Sequence, residues 1–227
     1  MFNKSYTPGD INIIFDYLIN ESNEMTSKKG CVFVDYDKTL IKNDSFLNLV
    51  IYIIKNNKVK FIYKLLYFFL KNINLRIIKT FLISSPKNYL KYCVSNVILS
   101  ISGMDLINKF MILNNNSNLN HSLIYKLKKL QNMGFNIIVV SNNYKRFLSS
   151  IINKYSFSLI AIDIDKYDSH IYKFNSKSFR IKNEFNKGYK FIFAITDSFK
   201  DSDMLKVVSN NIRFDYNQKL FFSFQCD

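Results

Sequence analysis

Two periodicities divide this chain. The run Cys31-Val32-Phe33-Val34 is continuously apolar and stops on Asp35, as in a short strand buried on both faces. Residues 44–113 instead repeat apolar positions every three or four residues. The pattern is Phe46, Leu47, Val50, Ile53, Ile54, then Phe61, Leu65, Leu66, Phe69, then Ile73, Ile77, Ile78, Phe81. That spacing lays an apolar stripe along a helix. Asp44 or Ser45 caps the first helix, and Ser85-Pro86 starts another with proline in its first turn.

Past a loop expected at Asn114–Asn120, the two periods alternate. Helices are expected at His121–Met133 (ended by Gly134), Tyr144–Lys154, Ser176–Phe185 and Asp201–Ser209. Strands are expected at Phe135–Val140 (stopping at Ser141), Ser158–Ile164, Phe191–Thr196 and, last, Ile212–Phe214, with a short extended piece at Ile171–Phe174. Residues 1–30 read as an N-terminal extension in which Pro8-Gly9-Asp10 turns and caps a helix bearing Ile11, Ile14, Phe15 and Leu18 on one face. Strands alternating with helices imply right-handed crossovers and a mostly parallel sheet. The expected fold class is α/β, a Rossmann-like parallel sheet with helices on both faces and an inserted all-helical cap. The expected division is 1–30 as extension, 31–43 and 117–227 as core, and 44–116 as cap.

Composition narrows this picture. A chain of 227 residues, 48% hydrophobic, can bury a substantial core, and only 5 Gly and 2 Pro exclude a disordered or linker-rich protein. Three widely spaced cysteines, Cys31, Cys93 and Cys226, show no metal or redox spacing, which fits reduced thiols and a cytoplasmic setting. The two histidines, His121 and His170, cannot form a His-rich metal centre.

The net charge is +15, yet only four of the 32 cationic residues are Arg. Scarce Arg and the lack of a recognisable motif argue against nucleic acid as partner. Residues 45–130 hold 13 Lys plus Arg against the single acid Asp105. This excess has two readings: a basic surface that meets anionic substrates or a membrane face peripherally, or AT-rich codons that Lys shares with Asn, Ile, Phe and Tyr. Asp10 and Asp16 precede any long apolar run, so no leader pattern is visible. The longest uncharged stretches, Tyr92–Met104 and Met111–Tyr125, are shorter than a membrane span.

The chemistry concentrates at strand ends. The first strand ends in Asp35-Tyr36-Asp37-Lys38-Thr39, the second in Ser141-Asn142-Asn143, and a later one in Asp197-Ser198-Phe199-Lys200-Asp201. In an open parallel sheet these ends share the edge where ligands bind. Carboxylates held close together repel unless a cation lies between them. Divalent metal binding, with Mg²⁺ as the metal and one carboxylate free to attack phosphorus, is the chemistry this grouping suggests. Asp163 and Asp165 read as the end of an edge strand, and Asp203 as a helix N-terminal charge.

The order Asp35-x-Asp37-x-Thr39, apolar-Ser141, a Lys, then Asp197-Ser198-x-x-Asp201 resembles the haloacid dehalogenase superfamily of phosphatases. In finer detail the chain is similar to the phosphoserine-phosphatase-like branch and to the phosphatase-like domain of UbiA-type prenyltransferases. The resemblance implies Asp35 as nucleophile, forming an aspartyl-phosphate, and Asp37 as acid and then base. It implies Mg²⁺ held by Asp35, Asp37 (through its backbone carbonyl) and Asp197, with Asp201 in support. Thr39, Ser141 and Asn142 would bind the phosphate. Lys173 is the lysine expected to neutralise it, with Lys177, Lys182 and Lys187 as alternatives. Three positions depart from the family pattern: Lys38 and Thr196 stand where Gly is usual, and Phe174 follows Lys173 where the pattern has Gly. The implied substrate is a small or lipid-linked phosphate. The competing expectation is a catalytically weak relative that binds anionic membranes or partners through its basic helices.

Overall fold

The structure is a computed structural model, and it describes residues 10–21, 30–71, 86–163, 177–184, 190–215 and 217–224. In chain order the elements are α1 (Ile11–Glu21), β1 (Gly30–Asp35), α2 (Ser45–Lys71), α3 (Pro86–Asn118), α4 (His121–Asn132) and β2 (Asn136–Tyr144). There follow α5 (Lys145–Lys154), β3 (Ser158–Ile162), α6 (Lys177–Glu184), β4 (Lys190–Thr196), a 3₁₀ turn (Phe199–Asp201), α7 (Ser202–Lys206), β5 (Ile212–Asp215) and β6 (Leu220–Phe224).

The six strands form one sheet in the order β3-β2-β1-β4-β6-β5. The first four are mutually parallel, and β6 adds antiparallel to both β4 and β5. The expected α/β class, a mostly parallel sheet flanked by helices, is therefore what the chain adopts. β1 lies at the centre and every one of its residues is buried. Its side chains alternate between two cores, as a strand's period of two requires. Val32 and Val34 join the larger core with α1, α4 and α5, whereas Cys31 and Phe33 join the smaller one with α6 and α7.

Helix α1 is part of the larger core. Ile11, Ile14, Phe15 and Leu18 are all buried, as the sequence pattern requires, and Phe15 meets Phe193 of β4 edge-on with centroids 5.2 Å apart. The Ile11 amide donates to buried Asp215 Oδ2 at 2.9 Å, so a carboxylate from the far end of the chain satisfies the first turn of α1.

Helices α2 and α3 run antiparallel. Asn48 donates to Asn114 Oδ1, Tyr52 packs on Phe110, and Lys64 Nζ reaches the Ser100 carbonyl. Among the described residues no single helix is long and apolar enough to cross a membrane. The α3 arms Cys93–Ile101 and Met104–Asn114 jointly have the length and composition but meet at a 107° bend.

Three sequence expectations need correction. The loop at Asn114–Asn120 is helical to Asn118, because its polar side chains turn back on the helix: Ser117 Oγ bonds the Leu113 carbonyl and Asn118 Nδ2 the Asn114 carbonyl. β2 does not stop at Ser141 but continues to Tyr144. Ile212–Phe214 is not the last strand, since β6 follows across a turn where Lys219 takes a φ of 56°. The extended piece expected at 171–174 lies outside the described residues.

Candidate active site

Strand parity decides which side chains meet. Asp35 follows Cys31 and Phe33 on the β1 face that looks at α6 and α7. Thr196 follows Ala194 onto the same face of β4, and Asn142 follows Ile138 and Val140 on β2. Ser141 and Asn143 fall on the opposite face, toward the start of α2. The edge thus has two half-sites, which meet at the tip of β1.

On the α6 face, Lys177 is only 3% exposed, and its Nζ lies 2.6 Å from Asp35 Oδ1 and 2.7 Å from Asp201 Oδ2. Thr196, fully buried, sets its hydroxyl 3.1 Å from Asp35 Oδ2 and 3.2 Å from Asp201 Oδ2, so one hydroxyl proton is shared between two carboxylates. Burial opposes the charge on Lys177, but the charges of Asp35 and Asp201 outweigh it and hold the ammonium above its ordinary pKa. Burial is also the main cause that raises Asp201, and Lys177 acts against it. Asp197 is pushed up to about 6, first by desolvation and then by Asp35, with Lys38 and Lys177 pulling it down.

Asp35, Asp197 and Asp201 each present a carboxylate oxygen within 4.8 Å of the others'. Three hard oxygen donors at one point match the needs of Mg²⁺. Lys38 and Lys177 together do not offset the burial of Asp197 and the charge of Asp35, an electrostatic setting that a cation would relieve.

On the α2 face, Asp37 accepts from the Ser45 amide at 2.7 Å and from Asn143 Nδ2 at 2.8 Å. Asn143 Nδ2 also reaches Ser45 Oγ at 2.8 Å. Desolvation is the largest influence on Asp37 and takes it up to about 6, although the bonds from Ser45 oppose the rise. Its carboxylate is engaged by Ser45 and Asn143, and among the described residues Asp35, Asp197 and Asp201 form the three-carboxylate cluster. Thr39 is buried, and its Oγ1 has no hydrogen-bond partner in the protein. An orphaned hydroxyl beside the Asp35–Asp37 turn is a vacant donor for an anionic ligand.

Four further residues position this machinery in roles that the sequence pattern does not assign them. Arg180, one turn beyond Lys177, donates to the Ser141 carbonyl at 2.7 Å and to Asn142 Oδ1 at 2.5 Å, clamping the tip of β2. Asn143 and Ser45 orient Asp37. Asp203 accepts from Ser178 Oγ at 3.0 Å and ties α7 to the first turn of α6. Period two from Ser141 would have found Asn143; Arg180 carries no signal without the helix start.

The expected phosphate-neutralising Lys173 lies outside the described residues; Lys177, one of the alternatives, bridges Asp35 and Asp201. Lys38 has a φ of 58°, the left-handed region, which Gly adopts without steric cost. Lys38→Gly is expected to stabilise the protein by up to about 1 kcal/mol, read as a rise in Tm. No rise would mean that glycine's extra freedom in the unfolded chain cancels the strain.

The chain matches no family model and no curated protein. Among solved structures it is similar to a phosphoserine phosphohydrolase-like protein from Francisella tularensis subsp. tularensis SCHU S4, at 17% identity and a TM-score of 0.47, over 79% of this chain and 82% of that one.

Proposed function

We propose that this chain is a phosphomonoester hydrolase of the haloacid dehalogenase type, with Asp35 as nucleophile. The observation that carries the reading is the buried Asp35 carboxylate at the tip of β1, 2.6 Å from Lys177 and grouped with Asp197 and Asp201. A buried cluster of like charge is costly to the fold, and clusters of this kind concentrate where chemistry uses them.

In the proposed reaction an Asp35 oxygen attacks phosphorus while the bond to the leaving oxygen breaks. Asp37, pushed up to about 6 chiefly by burial, gives its proton to that oxygen. The aspartyl-phosphate is then attacked by water, whose proton returns to Asp37, and phosphate leaves with the Asp35 carboxylate restored. Lys177, the Thr39 hydroxyl and the tip of β2 at Ser141 and Asn142 stand ready for the phosphoryl oxygens. Mg²⁺ held by Asp35, Asp197 and Asp201, when bound, would offset the negative charge of carboxylates and phosphate together.

The test is hydrolysis of a panel of phosphorylated metabolites and lipid head groups with Mg²⁺ and with a chelator. Turnover that needs Mg²⁺ is expected; a panel wholly inert with Mg²⁺ would overturn the reading.

A pH prediction follows from the same cluster. Asp37 and Asp197 bind protons more tightly in the folded chain, so their contribution is full below about pH 4 and is lost as pH rises through about 6. A cation replaces the proton at Asp197. Mg²⁺ is therefore expected to raise Tm more at about pH 7.5 than at about pH 5. A shift equal at both, or larger in acid, would contradict it.

A further inference from the structure

Six of the nine large hydrophobic side chains exposed among the described residues lie on α2 and α3: Leu47, Ile51, Ile62, Tyr63, Ile112 and Leu113. Three of them share one line. Leu47, Ile51, Lys55 and Ile62 are spaced four, four and seven residues apart and are all exposed, the apolar three at 54%, 42% and 45%. This stripe is distinct from the side of α2 that carries Asn48 and Tyr52 against α3. Because the two helices run antiparallel through those contacts, helical spacing brings Lys109 and Leu113 of α3 to the same side. The result, among the described residues, is an unpartnered face of Leu and Ile interleaved with Lys.

Its charge is predominantly positive, with the exposed Asp105 one turn before Lys109 on α3 as the acid beside it. α2 carries Lys55, Lys58, Lys60, Lys64 and Lys71 and no acid, which selects an anionic partner. We propose that this face docks on the surface of an anionic lipid bilayer. Branched aliphatic side chains without an aromatic on the stripe suit the acyl boundary, and lysines beside them suit lipid phosphates. A protein partner would require a complementary acidic, apolar groove, whereas a bilayer presents anionic charge above hydrocarbon everywhere. The inference stands apart from the catalytic reading, since none of these residues touches Asp35, Asp37 or Lys177.

The experiment is co-sedimentation of the full chain with vesicles of phosphatidylglycerol and phosphatidylcholine, and with vesicles of phosphatidylcholine alone. Binding to the anionic vesicles is expected, with little to the zwitterionic ones and a steep loss on added salt. Leu47→Ser with Ile51→Ser should weaken binding about tenfold or more, and Lys55→Gln with Lys109→Gln several-fold on anionic vesicles alone. All four positions are exposed, so thermal unfolding should stay close to that of the parent. Equal binding to both vesicle types, or binding unchanged by the Ser pair, would overturn the proposal. So would a dimer in sedimentation velocity that the Ser pair converts to monomer, because the face would then belong to a second copy.

Discussion

Asp35→Asn is expected to remove phosphomonoester turnover, by on the order of 10⁴-fold or more, and to leave the protein as stable as before or more so. The two halves have one cause. Burial is the main cause that raises Asp37 and Asp197, and the Asp35 charge adds to both, a repulsion that offsets what its ion pair with Lys177 contributes to the metal-free fold. The amide keeps the shape and loses the charge, and Lys177 keeps Asp201 at 2.7 Å as its counter-ion. The added stabilisation by Mg²⁺ should shrink as well. The measurements are steady-state turnover and thermal melts with and without Mg²⁺. A variant that turns over substrate like the parent would remove Asp35 from the chemistry. A metal-free variant many degrees less stable would mean that the carboxylate is structural.

Lys177→Met has the opposite signature. It leaves Asp35 and Asp201, both beside a buried position, without the cation that bridges them at 2.6 and 2.7 Å. Breaking a buried ion pair from one side costs about 3 kcal/mol, which is roughly 10 °C of Tm in a chain of this size. Turnover should fall by about 10²–10³-fold, since a phosphoryl group loses its buried counter-charge. Protonation or a divalent cation can neutralise the orphaned carboxylates, so acid or Mg²⁺ should restore part of the lost Tm. Lys177→Arg should rescue stability better than activity, because a guanidinium keeps a positive charge beside the two carboxylates but its planar fork does not set that charge where a compact ammonium would meet the phosphoryl group. Unchanged stability in Lys177→Met would contradict the bridging geometry.

The contrast between these variants separates a site from a core. Residues that hold a fold together lower its stability when removed. Asp35 is buried on the central strand, where its charge pairs with Lys177 and also repels Asp37 and Asp197, and a bound cation or ligand would relieve that repulsion.

The strands and their tips were legible from the amino acids because each apolar run stops on a polar residue. That is why Asp35, Ser141, Thr196 and Asp197 could be placed at one edge before any coordinate. Parity carried more than was taken from it. Ser141 and Asn143 share a face, so the partner of Asp37 was readable once β2 was allowed to run on to Tyr144. The bridging lysine was harder. Lys173 and Lys177 both precede or open α6, and which of them reaches Asp35 depends on where the helix starts, a boundary that periodicity leaves loose. Arg180 depends on the same boundary. β6 escaped because its connection, Asp215 to Lys219, contains neither Gly nor Pro; Asp215 builds that turn by accepting the Asn217 and Gln218 amides. The Asn-rich end of α3 misled for a related reason, since local polar bonds that usually favour a turn are here satisfied on the helix itself.

The most direct test of the account is to quench the protein with acid during turnover of a phosphomonoester in Mg²⁺ and map any covalent phosphoryl group by peptide mass. The account predicts one phosphoryl group, on Asp35, that disappears in Asp35→Asn. Turnover with the label on another residue, or with no covalent phosphoryl group at all under a quench fast enough to trap it, would contradict it.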